Sequence, residues 1–316
     1  MPVANPDSIR SLSPMKTSIL ALSLLAVVGT AHAQTTSVLY GVQLNLGAQS
    51  VQRLVEGEVP TGLVEETLTT EGLGSASGRA NVGFGVNKAV ASIQGIDPEN
   101  PLPFAFAKAI SKYNDAFTID AEGLTGTLGT FTTQLRIDGV GRFNIAEAIV
   151  GDSQSYIDGY WTSELRIYTD IEDEYDEVPF VQSQSYVGGW GQTLGGTQLQ
   201  YQGNPLNAYQ REVTFRFIYG EPIVLESYLE SSMYVSNPSL ALGTFDATVD
   251  LGNSVYWGGI HNLKSASGAT VGQNYAYASA SGYDYRVAAQ PVPEPATLAA
   301  LGLGALGILR RRRRRA

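Results

Sequence analysis

The chain contains no cysteine, which excludes disulfide bonds, thiol catalysis and thiolate metal sites. Histidine is nearly absent as well, since His261 is the one histidine beyond His32 near the N-terminus. A Ser-His-Asp triad needs a histidine held by a carboxylate, and a zinc site without cysteine relies on histidine. With no G-x-S-x-G motif in the chain, we expect neither site and interpret His261 as a loop or turn residue.

The N-terminal region contains a secretory signal peptide at residues 15–33. Lys16 supplies its positive start, an apolar stretch covers residues 19–28, and Ala31-His32-Ala33 forms an A-x-A cleavage site. The mature chain is therefore predicted to begin at Gln34, after the Sec translocon and signal peptidase have acted. Residues 1–14 fit this signal poorly, so we expect translation to start at Met15, with a long positive region as the alternative.

The last 26 residues have three parts in order. A proline-punctuated motif comes first, and proline keeps it out of a helix interior. An uncharged run at residues 297–309 follows, predicted as a short transmembrane helix of about 20 Å against a hydrocarbon core of about 30 Å. Arginines then stop transfer on the cytoplasmic side. The motif and arginine residues are Val292, Pro293, Glu294 and Pro295, then Arg310, Arg311, Arg312, Arg313, Arg314 and Arg315.

This tripartite tail resembles the PEP-CTERM sorting signal of Gram-negative bacteria. The resemblance implies recognition by an exosortase, a membrane cysteine peptidase that processes the tail near Pro293-Glu294-Pro295. It also implies export across the inner membrane, transient anchoring there, and delivery to the cell surface or extracellular space. An ordinary C-terminal membrane anchor is the alternative. Glycines 302, 304 and 307 match G-x-G-x-x-G by chance, because no acidic residue follows about 20 positions on.

The body between the two signals, residues 34–290, is strongly acidic. It holds 12 basic and 28 acidic residues, a net charge near −16. Such a charge argues against binding to nucleic acid or anionic lipid, and it suits a soluble secreted protein that could gather Ca²⁺. Its length allows one large β domain, which we predict, or two domains divided near residues 97–103.

Alternation of apolar and polar residues dominates this body and predicts antiparallel strands with one buried face. Glycine-containing turns separate the strands, at Gly123, Gly126 and Gly129 and at pairs such as Asp138-Gly139, Asp158-Gly159, Gly188-Gly189, Gly195-Gly196 and Gly252-Asn253. Residues 103–113 alone are interpreted as a helix. The predicted fold is an all-β, jelly-roll-like antiparallel sandwich. The predicted buried faces are Phe131, Thr133, Leu135 and Ile137; Val213, Phe215, Phe217 and Tyr219; Phe245, Ala247, Val249 and Leu251; and Leu165 and Ile167.

A looser resemblance covers the end of the body. The stretch TFDATVDLGNSVYWGGI, then GATVGQ and SASGYDY, is similar to the closing strands of many PEP-CTERM ectodomains, and SASGRANV to an early strand. This resemblance supports a shared sandwich architecture.

An acidic run at residues 170–177 packs six acids into eight positions. In an extended strand, Asp170, Glu172, Glu174 and Asp176 share one face. We interpret the run as a solvated hairpin tip. A Ca²⁺ site is the second interpretation, without the usual D-x-[DN]-x-[DN]-G loop, and a glycosidase carboxylate pair is the third.

Three tryptophans, Trp161, Trp190 and Trp257, cluster with tyrosines 156, 160, 186 and 201 near glycine turns. Aromatic faces can stack on sugar rings, but strand tryptophans more often fill a core, so core packing is the favoured interpretation of each.

Three functions follow in order of preference. The first is a non-catalytic surface or extracellular-matrix protein, which the resemblance associates with exopolysaccharide or biofilm. The second is a glycan-binding module, with Ca²⁺ as a candidate aid to binding, which requires two or three coplanar rings exposed on one sheet face. The third is a carboxylate-based glycoside hydrolase, which requires two facing acids with one of them buried.

Overall fold

The computed structural model describes residues 36–60, 62–97, 99, 102–145, 156–169, 180–195, 198–203, 209–237 and 244–289. The described residues belong to one compact unit. The described part is built from strands without a helix, and all paired strands are antiparallel. In chain order the strands are β1 (Ser37–Leu46), β2 (Gln49–Gly57), β3 (Leu63–Thr70), β4 (Gly74–Gly83), β5 (Val86–Gly95), β6 (Phe104–Asp120), β7 (Leu128–Ile137), β8 (Val140–Ile145), β9 (Tyr156–Thr169), β10 (Phe180–Gly195), β11 (Gln198–Gly203), β12 (Tyr209–Ile218), β13 (Pro222–Ser236), β14 (Phe245–Trp257), β15 (His261–Ser265) and β16 (Ala276–Ser279).

These strands form two eight-stranded sheets. The first, sheet A, has the order β11-β10-β9-β13-β6-β1-β2, with β16 also paired to β6. The second, sheet B, has the order β12-β7-β14-β5-β4-β3, with β15 on β7 and β8 on β14. Buried side chains from both sheets form one hydrophobic cluster, so the sheets pack face to face as in a sandwich. The antiparallel all-β architecture predicted from the sequence is confirmed, and its jelly-roll assignment stays a prediction.

Each sheet combines strands that precede residues 97–103 with strands that follow them. In sheet A, β1 pairs with β6, and in sheet B, β5 pairs with β14. The described strands before and after residues 97–103 therefore contribute to both sheets and to one hydrophobic cluster, and the single-domain assignment stays a prediction.

The alternation in the sequence identifies the buried faces correctly. Every residue predicted to be buried on β7, β12, β14 and β9 is buried, and Tyr219 at the end of β12 is fully so. The structure adds a tight aromatic group to this core, in which Phe131 contacts Phe215, Phe217 and Trp257 at ring-centroid distances of 5.7, 5.7 and 6.4 Å.

The predicted helix at residues 103–113 is wrong, because this stretch begins β6, the strand between β13 and β1. Ala105, Ala107 and Ala109 are fully buried on its inner face, while Phe104, Phe106 and Lys108 alternate with them on the outer face. Alanine favours helices in isolation, but pairing with two neighbouring strands overrides this propensity.

Three predicted turns are also wrong, because the glycines lie inside strands. Asp158-Gly159 lies within β9 and Gly188-Gly189 within β10, where Gly188 pairs with the buried Trp161. At Gly252-Asn253 the ladder between β14 and β5 shifts register between Leu251 and Val255, so this glycine marks a bulge and the strand continues beyond it. Asp138-Gly139 does connect two strands, β7 and β8, as predicted.

A segment at the C-terminal end of the body, residues 276–289, closes one end of the core, and we call it the strap. Its strand β16 pairs with β6, and Tyr285 is fully buried against Phe117 and Trp257, with ring centroids 5.4 and 5.5 Å away. Trp257 Nε1 donates to the Tyr285 carbonyl at 2.7 Å, and the Ala289 N–H donates to the Trp257 carbonyl at 2.8 Å.

A buried carboxylate fastens the strap to β6. Asp115 is fully buried on the inner face of β6, and its Oδ1 accepts from the N–H of Ala116 at 2.8 Å and of Ser281 at 3.1 Å. The Ser281 hydroxyl donates to Oδ2. These bonds satisfy a carboxylate that would be costly to bury alone, so Asp115 holds the strap in place.

Candidate functional site

The outer face of sheet A, which points away from sheet B, carries a group of charged and aromatic side chains that contact one another. Alternation along three adjacent strands decides which residues project there. The antiparallel register pairs Tyr228 of β13 with Lys112 of β6 on one side and with Glu164 of β9 on the other. These pairings determine which outward side chains of the three strands are neighbours. The outward residues of interest are Lys108 and Lys112 on β6; Glu226, Tyr228, Glu230, Ser232 and Tyr234 on β13; and Tyr156, Asp158, Tyr160, Glu164 and Arg166 on β9.

One part of this face is a set of ion pairs, which we call the ion-pair network. Lys108 Nζ lies 2.7 Å from Glu230 Oε2, and Lys112 Nζ lies 2.6 Å from Glu226 Oε2. Arg166 bridges two strands, at 2.7 Å from Glu164 and 3.3 Å from Glu226. Each of these cations is therefore already bonded to a carboxylate.

Glu230 is the most enclosed carboxylate of the network. Burial on its own would raise the pKa of Glu230, but hydrogen bonds from Lys108, Tyr228 and Ser232 outweigh burial and lower it. Ser232 donates to Oε1 at 3.0 Å, and Tyr228 donates to Oε2. Burial, reinforced by the Glu230 charge, raises the pKa of the Tyr228 phenol. Glu230 is thus held as a carboxylate and Tyr228 as a neutral donor.

The other part of the face is aromatic, and we call Tyr156, Tyr160, Tyr234 and the intervening Asp158 the tyrosine cluster. The rings of Tyr156 and Tyr234 stack with their centroids 5.6 Å apart and an interplanar angle of 26°. Tyr160 is 39% exposed, and its hydroxyl lies beside Ser232 and Glu230, which joins the cluster to the ion-pair network. Burial raises the pKa of Asp158.

Glycines border the tyrosine cluster on its β10 side. The register of β9 with β10 sets Gly189 opposite Tyr160 and Gly191 opposite Asp158. Glycine carries no side chain, so at these two positions β10 places nothing beside the ring or the carboxylate. Glycine inside a strand often marks a place where a ligand or another backbone comes close.

Asp158 and Glu230 are the two carboxylates of this face whose pKa values shift in opposite directions. Asp158 has a raised pKa and Glu230 a lowered one, as an acid and a nucleophile would require. However, Asp158 pairs with Tyr234 while Glu230 pairs with Thr162, so four residues, or about 13 Å of strand, separate them. Hydrolysis needs about 5–9.5 Å between the two carboxyl groups. Asp158 and Glu230 are therefore too far apart to act together as a glycosidase pair.

Two of the three tryptophans considered for glycan stacking are unsuited to it. Trp161 is 8% exposed and Trp257 is 1% exposed, because both point into the core from their strands. The core interpretation, which the sequence favoured, is the correct one for these two. Trp190 lies in β10 opposite Gly159, and its side chain is outside the described part of the structure.

The exposed aromatic surface is formed by tyrosines. Tyr156 and Tyr160 were recognised in the sequence only as neighbours of the tryptophans, while Tyr234 and the ion-pair residues were missed. The sequence of β13 does contain a clue, because Glu226, Tyr228, Glu230 and Tyr234 all occupy even-numbered positions and therefore project from the same face of the strand.

The remaining predicted site residues fall largely outside the described residues. These are the acidic run at residues 170–177, the signal peptide with Ala31, Ala33 and Gln34, and the whole tail. Within the described ranges, no group of three or more metal-binding side chains occurs, and no helix has the length and apolarity needed to cross a bilayer. His261 is exposed at the start of β15, with Nε2 2.6 Å from the Gly258 carbonyl.

Comparison with known proteins identifies one part of the chain. No curated protein and no solved structure matches it significantly. A family model does match at the C-terminus, over the same segment that combines the proline motif, the apolar run and the arginines. Residues 291–314 match the PEP-CTERM protein-sorting motif, so the chain carries the sorting signal of an exported protein that an exosortase directs through the cell envelope to the surface.

Proposed function

We propose that this chain is a non-catalytic protein of the cell surface or extracellular matrix of a Gram-negative bacterium, associated with exopolysaccharide or biofilm. The observation that carries the proposal is the sorting motif at residues 291–314. Its three parts, together with a signal peptide at residues 15–33, describe a chain that leaves the cytoplasm and is held only briefly in the inner membrane.

The chemistry of the body supports a role in binding or structure. In the described ranges, the cationic side chains on the outer face of sheet A are bonded to carboxylates, and Glu230 has a lowered pKa that suits a structural carboxylate. A general acid needs the opposite, a carboxyl group whose pKa is raised close to the working pH. Among the described residues, Asp158 is the carboxylate whose pKa is raised, and Glu230 lies too far along the strands to act with it as a catalytic pair.

Mass spectrometry of the protein from its producing strain, with and without the exosortase gene, tests the proposal. We expect a species that begins at Gln34 and ends near Pro293-Glu294-Pro295 in the parent strain, and a species that extends to Ala316 in the deletion strain. The same C-terminus at Ala316 in both strains would overturn the sorting route, and the tail would then be a plain membrane anchor.

Variants of the tail separate recognition from membrane retention. Replacing Pro293, Glu294 and Pro295 with alanine removes the proline motif and keeps the apolar run, so we expect an unprocessed protein in the inner membrane. Replacing residues 310–315 with glutamine removes the stop-transfer charge, so we expect the unprocessed chain to leave the inner membrane. A Glu65→Gln variant on the exposed edge strand β3 serves as the control and should be processed normally.

The second candidate function is a carbohydrate-binding module, and the tyrosine cluster favours it over hydrolysis. The sequence required two or three coplanar exposed rings on one sheet face. Tyr160 meets this requirement alone: Tyr156 and Tyr234 lie on the same face, but they are half-buried and stack on each other with 26° between their planes. Calcium bound at Asp170, Glu172, Glu174 and Asp176 remains part of this second proposal. The two candidates are compatible, because a matrix protein can be retained by binding a matrix glycan.

A further inference from the structure

We propose that the tyrosine cluster is the binding site for an uncharged polysaccharide chain, which lies across β9 and β13 on the outer face of sheet A. The inference rests on the proposed function, whose exopolysaccharide association it makes specific by naming a site and a class of ligand. The argument uses the ring arrangement, the polar groups beside the rings, the charge of the face and the glycines of β10.

The rings supply the apolar half of the site. A pyranose ring presents C–H groups on a flat face, and aromatic rings pack well against such faces while their hydroxyls remain hydrated. Tyr160 is 39% exposed, the largest exposure among the aromatic side chains that the structure describes. Tyr160 is also on the same outward side of β9 as Tyr156 and Asp158, so a ligand that covers its ring lies close to both.

The polar half of the site lies between the rings. Asp158 occupies the position between Tyr156 and Tyr160 on the same side of β9, and a carboxylate can accept from two or more hydroxyl groups. The raised pKa of Asp158 reflects partial burial, which makes a hydrogen bond from a ligand hydroxyl more valuable than it would be in open water. A hydroxyl-rich ligand with a flat apolar face matches this pattern of rings around a carboxylate.

The charges on this face favour an uncharged ligand over an acidic one. The ion-pair network and the tyrosine cluster together contain three cations, Lys108, Lys112 and Arg166, and all three are bonded to carboxylates at 2.6–3.3 Å. Four carboxylates face them, counting Asp158. The body as a whole carries a charge near −16. An acidic polysaccharide would be repelled and would find no unpaired cation in these two groups.

The glycines provide the space that the ligand needs. Gly189 and Gly191 are the β10 residues directly opposite Tyr160 and Asp158, and neither position carries a Cβ. A larger residue at Gly189 would fill that space. The Gly189→Leu variant therefore tests the route of approach without altering any residue that contacts the ligand through its side chain.

Affinity electrophoresis of the exported protein, purified from its producing cells, tests the proposal. Native gels contain hydroxyethylcellulose as one neutral glycan, soluble starch as another, or alginate as an acidic polysaccharide. We expect retarded migration in at least one neutral gel and none in alginate. Absence of retardation in both neutral gels, or retardation by alginate alone, would overturn the proposal.

Point variants locate the site. Tyr160→Ala should weaken binding of the neutral glycan by about five- to tenfold, since one exposed ring is lost. Tyr160→Phe keeps the ring and should retain most of the affinity, whereas Asp158→Asn should weaken binding by roughly the factor expected for one charged hydrogen bond, about tenfold. Leu63→Ala, which removes a similarly exposed apolar side chain from the edge of sheet B, is the control and should bind as the parent does.

The outcomes separate this inference from the proposed function. Equal binding by the parent and the Tyr160→Ala variant would refute the tyrosine cluster as the site, even if mass spectrometry shows normal sorting. A chain that binds the glycan through Tyr160 but ends at Ala316 in both strains would keep the binding site and refute the sorting route. Circular dichroism of each variant checks that the strands are intact.

Discussion

The bond between Asp115 and the strap gives the sharpest prediction about stability. In the Asp115→Ala variant, the N–H groups of Ala116 and Ser281 and the Ser281 hydroxyl lose their acceptor. Asp115 and the N–H of Ala116 are buried, so water does not simply replace the carboxylate there, while the Ser281 end of the contact is half-buried. The strap should then be held to β6 mainly by the β16 ladder and by the packing of Tyr285.

The size of the effect follows from these lost bonds. A hydrogen bond to a charged group contributes about 1.5–3 kcal/mol, and each buried donor left without a partner costs about 1–3 kcal/mol. Allowing for partial relaxation, we expect Asp115→Ala to lower the free energy of unfolding by about 3–5 kcal/mol. Because a body of this size loses about 2–4 °C per kcal/mol, the melting temperature should fall by roughly 10 °C.

Urea unfolding followed by tryptophan fluorescence is a suitable assay, because Trp257 donates its indole N–H to the strap at Tyr285. Two variants act as controls. Asp115→Asn keeps an amide oxygen for the two N–H groups and should cost about 1–2 kcal/mol. Ser281→Ala keeps the carboxylate and should likewise cost less than Asp115→Ala. A loss below about 1 kcal/mol for Asp115→Ala, or equal losses for the alanine and asparagine variants, would refute this reasoning.

Three further substitutions test other parts of the fold. The pKa of Glu230 is lowered in the folded chain, so its carboxylate stabilises the fold fully at a pH above about 4.3, the usual pKa of a glutamate, and this stabilisation is lost as the pH falls below that value. In urea titrations, Glu230→Gln should therefore lower the free energy of unfolding by about 1–3 kcal/mol at pH 7 and by much less near pH 3. Gly85→Ala should lower the free energy of unfolding by about 2–3 kcal/mol, because residue 85 has φ +80° and a Cβ there would lie 2.6 Å from the Tyr283 hydroxyl. Gly83→Ala is the control and should change little, because a Cβ at residue 83 meets nothing within 4 Å. Equal effects of the two substitutions would contradict the strain argument. Ala107→Leu should lower the melting temperature by overpacking the inner face of β6, at a cost of about 1–3 kcal/mol, and an unchanged or raised melting temperature would show that the two sheets leave room there.

The sequence predicts the buried faces well where large apolar residues alternate with polar ones. Phe215 and Phe217 on β12, and Val249 and Leu251 on β14, are buried as expected. The reason is physical: a strand with one face against a core needs a period of two, and large side chains make that period visible.

The same rule fails where the buried residues are small. On β6 the inner positions are alanines, whose helix propensity conceals a strict alternation with Phe104, Phe106 and Lys108. Glycine misleads in a similar way, because it can end a strand, bulge it at Gly252, or lie within it opposite Trp161. A sequence does not show which of these uses applies until the neighbouring strand is known.

The candidate site could not be assembled from the sequence for a different reason. Lys112, Glu164 and Glu226 are far apart in the chain and meet because β6, β13 and β9 are adjacent in sheet A. The order and register of strands joined by long connections depend on the whole fold. The tail, in contrast, is a linear signal, and so its parts were all identifiable in order.

The position of the strap has a consequence for protein engineering. The last described bond of the body is made by Ala289, and the sorting motif begins at residue 291. Cutting the chain beyond residue 290 keeps the described contacts that close the core, from the Asp115 bonds to the packing of Tyr285. The sorting signal and the described folded body thus occupy separate stretches of chain. The tail is in principle a transplantable label, and the body could serve as cargo for a different label joined at the same residue.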